Sequence, residues 1–280
     1  MLKQRVITAL ILGPFIIWSV LTFSHAALAI EMGIILVLAA WEWAKLSGIQ
    51  NQFGRVGYGI FVAGTLLLSA WLMHAHAVQL EVILYAAAVW WCLALLLIIL
   101  ANRTKVSAVA SFSNLAILGN LLFGVVVLFG AFVSIVGVHR FEEYGARYIL
   151  LLLILIWAAD SSAYFAGKAF GKHKLAANVS PGKTWEGVAG GVLATAIVAY
   201  IISVYLQLEN PFNFYFVTIA IITVGFSIVG DLIESLFKRR AGVKDSSQLL
   251  PGHGGVLDRI DSLLSAAPLF LLGLLIVGIK

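Results

Sequence analysis

Asp258 and Asp261 stand three residues apart in VLDRIDS. On a helix that spacing puts both carboxylates on one face, about 5–6 Å apart at Cβ. Like charges so placed repel unless a cation lies between them, and hard cations such as Mg²⁺ take oxygen ligands that they share with substrate phosphates. Two further acids interrupt apolar runs: Asp160 in LLLLILIWAADSSAYFAGKAFG and Asp231 in IITVGFSIVGDLIESLFKRR. A carboxylate left unpaired in such a setting costs at least about 2.5 kcal/mol, so each needs a partner. Within one helix the available partners are Lys238 for Asp231 and Lys168 for Asp160, two turns away in each case. Asp231, Asp258 and Asp261 otherwise read as a metal-binding cluster, with Asp160 as a candidate fourth member.

The residues around the acids suit phosphate. Gly252, Gly254 and Gly255 let a backbone approach a ligand closely and can turn successive N–H groups inward as an anion nest. Lys183, Lys238, Arg239, Lys244 and Arg259 supply positive charge, and His253 can donate a hydrogen bond. In SPGKTWEG, Pro181-Gly182 reads as a turn, with Lys183 and the Ser180 and Thr184 hydroxyls just before a helix whose N-terminal amides attract anions. The same residues also suit an ordinary helix cap. GKTWEG lacks the spacing of a P-loop. Asp245 either ligates or pairs with Lys244 or a nearby arginine.

The elements that must position these groups lie in lipid. The chain has 280 residues, 62% of them hydrophobic and only 11% charged, with a mean hydropathy of +1.04. That is more apolar surface than one soluble core can bury. About 20 apolar residues carry a helix through a bilayer. Segments of this kind run over 6–23, 26–46, 57–74, 80–101, 112–136, 147–168, 187–206, 212–236 and 257–279. The expected fold is therefore all-α: a polytopic integral membrane protein of about nine transmembrane helices. The first span is too long for a signal-peptide core and is read as retained. Cys92, the single cysteine, can form no intramolecular disulfide and lies in an apolar run.

With the N-terminus in the cytoplasm and the C-terminus on the far side, 15 of the 18 Lys and Arg fall on the cytoplasmic side; Arg140, Arg147 and Lys280 fall opposite. This asymmetry follows the positive-inside rule. It accounts for the net charge of +5 without a nucleic-acid partner. Both long connections, from Lys168 to Glu186 and from Lys238 to Leu257, then face the cytoplasm. Asp160 and Asp231 lie eight and seven residues before the basic ends of their helices, hence roughly 10–12 Å inside the same boundary. Residues 1–110 form an N-terminal set of four helices, and 111–280 a C-terminal set of five that carries the site.

Residues 235–261, SLFKRRAGVKDSSQLLPGHGGVLDRID, resemble the signature of the phosphatidate cytidylyltransferases, or CDP-diacylglycerol synthases. Ser235, Lys238, Arg239, Lys244, Asp245, Ser247, Leu250, Pro251, His253, Gly254, Gly255, Asp258, Arg259 and Asp261 fall where that pattern asks. ADSSAYFAGKAFGKHKL and SPGKTWEGVAGG are similar to the family too, so its motifs cover roughly the second half of the chain. The resemblance implies transfer of CMP from CTP to phosphatidate, giving CDP-diacylglycerol and pyrophosphate. It further implies Mg²⁺ as cofactor, with room for a monovalent cation such as K⁺, a homodimer, and a bacterial cytoplasmic (inner) membrane. Asp231, Asp258 and Asp261 would hold metal and Asp160 a further metal or the nucleotide. Lys168, Lys183, Lys238, Arg239, Lys244 and Arg259 would meet phosphates, and His253, Gly254 and Gly255 would hold phosphate by hydrogen bonds.

Other membrane classes fit less well. A transporter would place its acids near the midplane of inverted repeats; here they gather toward one face and no repeat is apparent. The D-G-x2-A-R motif of alcohol phosphotransferases does not occur.

Overall fold

A backbone surrounded by lipid has no water to bond to, so each long apolar run closes its hydrogen bonds within itself as a helix. The computed structural model describes residues 2–75, 79–103, 106, 112–206 and 211–279, apart from the side chains of residues 2–7 and 9. Lys105, Lys280 and the Lys3 and Arg5 side chains, which enter the charge asymmetry, lie outside the described residues.

The chain runs through α1 (Leu2–Thr22), α2 (His25–Leu46), α3 (Gln52–His74), α4 (Leu80–Asn102), α5 (Asn114–His139) and α6 (Gly145–Phe170). It continues through β1 (Lys174–Ala176), β2 (Ser180–Thr184), α7 (Trp185–Tyr205), α8 (Phe212–Arg240) and α9 (Leu257–Ile276). Eight of these helices are long and apolar enough to cross a membrane, and α1 adds the shorter apolar run Leu10–Thr22. The chain is an all-α polytopic membrane protein. Spans expected from the sequence fall on the observed helices with shifted ends. The largest shift is in α3, which starts at Gln52 and not near 57 because the Asn51 side chain accepts from Gly54 N and caps a polar first turn.

The connection from Lys168 to Glu186 is not a bare loop. β1 and β2 pair antiparallel, Lys174 with Thr184 and Ala176 with Ser180, around a turn at 177–179. Pro181 and Gly182 therefore lie within a strand instead of forming the expected turn. A proline is tolerated there because the hairpin has only two strands, each with an open edge.

Helices α5, α8 and α9 form the interior. In α5, Val127, Leu128 and every residue from Gly130 to His139 are buried, as is the run from Leu264 to Leu272 in α9. Around them the outer helices show lipid their large apolar side chains, such as Leu67, Leu96, Ile60 and Leu193. Both hydrophobic clusters draw on helices from either side of residue 110. One group of helix ends, including those of α2, α4, α6 and α8 and the starts of α7 and α9, carries the hairpin and the 241–256 connection. The opposite ends are joined by contacts such as His25 Nδ1 to His139 Nδ1 at 2.9 Å.

Candidate active site

Two close helix crossings bring the acids together. At Gly230 on α8, an added Cβ would overlap the Asp261 carbonyl and the Ser265 hydroxyl of α9. The bare glycine thus allows the approach that sets Asp231 beside Asp261, and the two carboxylates share one electrostatic neighbourhood. On the other side, Gly187, Gly190 and Gly191 of α7 lie against Ala159, Ala163 and Ala166 of α6. Small residues let helices pack closely in lipid. This crossing brings Asp160 on α6 within the field of Asp231 and of Lys183, at the base of α7.

The ion pairs differ from those available within single helices. Asp231 pairs with Lys183, Oδ2 to Nζ at 2.7 Å, and its Oδ1 accepts from Ser235 Oγ at 3.3 Å. Lys238 turns away from Asp231; its Nζ lies 3.0 Å from Glu234 Oε2 and 2.6 Å from Asp258 Oδ1. Lys168 approaches the Tyr164 ring at 5.9 Å and not Asp160. The hairpin causes the exchange, because it carries Lys183 over the carboxylates while Lys168 stays exposed on the outer face of α6.

The signature loop is held from inside. Asp258 Oδ2 accepts from Ser246 N at 2.9 Å, Ser246 Oγ at 3.0 Å and Gly255 N at 2.8 Å. Gly255 therefore directs its amide at the Asp258 carboxylate and not outward as part of an anion nest. Gly254 has φ +86°, and an added Cβ there would press on Asp258 Oδ2, so only glycine suits both the turn and its contact. Arg259 donates from Nε and Nη2 to the His253 carbonyl at 2.9 and 2.6 Å and fixes the PGHG turn. His253 Nδ1 is buried without a hydrogen-bond partner among the described residues.

Two acids beyond those expected from the sequence, Glu42 and Glu234, belong to the site. Glu42, on α2, is fully buried and accepts four hydrogen bonds from the loop: Ser246 Oγ at 2.9 Å, Ser247 Oγ at 2.5 Å, Val256 N at 2.9 Å and Leu257 N at 2.7 Å. It caps α9 from a distant helix, in place of a local capping side chain. The adjacent Trp43 fixes that geometry by donating to the Asn120 carbonyl at 2.8 Å and packing on Phe237 at 4.7 Å between ring centroids. Glu234 is 2% exposed and faces Asp261 as well as Lys238. Both acids could have been found by asking, as for Asp160 and Asp231, why an ionisable group interrupts an apolar helix.

Other expected site residues sit at the rim. Arg239 reaches the Val179 carbonyl at 3.5 Å. Lys244 and Asp245 are exposed and form no ion pair among the described residues. Ser180 lies in β2. The Thr184 hydroxyl is occupied in capping α7, accepting from Gly187 N at 3.1 Å.

A cavity of about 280 Å³ opens beside the acids. Asp160, Asp258, Arg259 and Asp261 line one part of it, and the rest is mainly apolar, with residues such as Val20, Leu153 and Trp157 interrupted by Ser19 and Glu31. Five carboxylates, Asp160, Asp231, Glu234, Asp258 and Asp261, here face two lysines, Lys183 and Lys238. The buried Glu234 carboxyl lies against that of Asp261, within hydrogen-bond reach. Excess negative charge on crowded hard oxygens is a donor set that fits a cation such as Mg²⁺. Among the described residues no three acids or histidines yet converge on one point.

The chain matches the model of the cytidylyltransferase family over residues 3–277. This chain belongs to the cytidylyltransferase family. The assigned family covers both the acid-lined cavity and α2, which clamps it. Curated relatives named phosphatidate cytidylyltransferase include one from Haemophilus influenzae, 41% identical over 286 residues spanning 96% of this chain and 97% of the relative. Another, from Pseudomonas aeruginosa, is 42% identical over 270 residues and 96% of each chain. One from Bacillus subtilis is 45% identical over 139 residues, 49% of this chain and 51% of its own length.

Proposed function

We propose that this family member is a phosphatidate cytidylyltransferase, forming CDP-diacylglycerol and pyrophosphate from CTP and phosphatidate. Similarity to relatives of that name along nearly the whole chain carries the reading. A cavity with a charged cluster and a mainly apolar path leading from it suits a substrate with a phosphate head and acyl chains.

A phosphate oxygen of phosphatidate attacks the α-phosphorus of CTP; the bond from that phosphorus to the bridging oxygen breaks and pyrophosphate departs. The nucleophile is already an anion, so no side-chain nucleophile is required, and acceleration comes from positioning and charge neutralisation. Lys183 and Arg259, at the acid cluster, neutralise phosphate near the cavity; Arg239 and Lys244, at the rim, meet the nucleotide's outer phosphates. His253 offers its buried Nδ1 edge to phosphate. Asp231 and Asp261, with Asp258 as a third ligand, would hold Mg²⁺, which when bound neutralises triphosphate charge. Asp160 and Glu234 complete the anionic wall. Lys238 and Glu42 keep Asp258 and the start of α9 in place.

The 15-to-3 distribution of Lys and Arg supports a cytoplasmic opening of the site in a bacterial inner membrane. The homodimer implied by the family resemblance belongs to the same proposal. Pyrophosphate release by the purified chain in detergent tests the reaction. Release should require both CTP and phosphatidate, and release indifferent to the lipid would refute it.

A further inference from the structure

At the end of the bundle opposite the acids, α2, α3 and α5 enclose a second cavity of about 1130 Å³. Helices α2 and α3 pack firmly near the other end, where Arg55 lies 3.4 Å from the Trp41 ring centroid and Gly59 rests against Val37. Toward His25 and His74 the groove is widened by small residues, Ala29 and Gly33 on α2 and Ala63 and Ala70 on α3. No atom lies within 4 Å of where a Gly33 Cβ would stand. From His25 to Leu38 the groove runs along 14 residues of α2, roughly 20 Å, more than the ~15 Å depth of one leaflet. Its walls are apolar, and an apolar cavity of that kind does not hold water.

The mouth is polar and level with the helix ends: Ser24, His25, His74, Arg140 and Glu142. Arg140 forms no ion pair among the described residues. A guanidinium at the rim of a long apolar slot is complementary to a phosphate carried on acyl chains.

We propose that this groove is a second lipid site, separate from the reaction, which binds a membrane glycerophospholipid with its phosphate at Arg140 and its chains between α2 and α3. The volume exceeds the ~1,000 Å³ upper range of small-molecule pockets, as a diacyl lipid requires.

Native mass spectrometry of the full chain in mild detergent, with phosphorus analysis of the bound fraction, tests the site. Wild-type protein should retain phospholipid. Arg140→Gln should lower that occupancy about tenfold or more, the effect of losing one charged hydrogen bond. Gly33→Phe, whose Cβ meets no atom within 4 Å and whose ring would occupy the slot, should lower it similarly, and Ala63→Leu is a milder version of the same block. Cytidylyl transfer in detergent should stay near wild type in all three, since none lies at the acid cluster. Absence of retained phospholipid in wild type overturns the proposal, as does occupancy unchanged in the folded variants. A wild-type dimer that Gly33→Phe dissociates also overturns it, because a second copy would then cover the groove.

Discussion

Asp261 and Glu42 show two different uses of a carboxylate at one site. Asp261 faces Asp231 and Glu234 in a setting short of positive charge, which is why a cation is proposed there. Asp261→Asn and Asp258→Asn should each lower turnover by about 10²–10³ at limiting Mg²⁺, the size of losing one preorganised electrostatic contact. Folded variants with near wild-type turnover would remove the metal assignment. Glu42 instead satisfies four donors of the loop that carries Asp258. Glu42→Gln leaves those donors competing for one carbonyl oxygen and should cost about 2–3 kcal/mol, measured as a lower denaturation midpoint in detergent. The Asp258–Asp261 pair was legible because its spacing places two charges on one helix face. Glu42 stands out as an acid in an apolar helix, but its role was not legible, since its partners are 204 to 215 residues away in sequence and no local pattern announces them.

Among the elements, positions of helices were legible and their contacts were not. Length and hydropathy locate nine segments, but which helices touch depends on where side chains are missing, as at Gly230 and along Gly187, Gly190 and Gly191. The hairpin escaped because strands of three and five residues, one containing Pro181 and Gly182, leave almost no alternating pattern. Its consequence is the Lys183–Asp231 pair, which stands in place of the pairs available within single helices. Gly230→Ala would force α8 away from the Asp261 carbonyl, at a cost of about 1–3 kcal/mol. Activity should fall with it, read as kcat in the fraction that remains folded, because Asp231 and Asp261 would separate.

In the whole molecule, the candidate site lies at the positively flanked ends of the bundle, where a lipid from the bilayer and a soluble nucleotide can both arrive. Cysteines introduced at Lys244 and at Arg147, in a Cys92→Ser background, should react with a membrane-impermeant reagent from opposite sides of sealed cells or inverted vesicles. Labelling of both from the same side would refute the assigned orientation.

The most direct test of the central claim is the fate of the lipid phosphate. Purified chain in mixed micelles with CTP, Mg²⁺ and phosphatidate labelled with ¹⁸O in its phosphate should release pyrophosphate and CDP-diacylglycerol in equal amounts, with all label in the lipid product. Label in pyrophosphate, or pyrophosphate formed at the same rate without phosphatidate, would contradict attack by the lipid phosphate on the α-phosphorus of CTP.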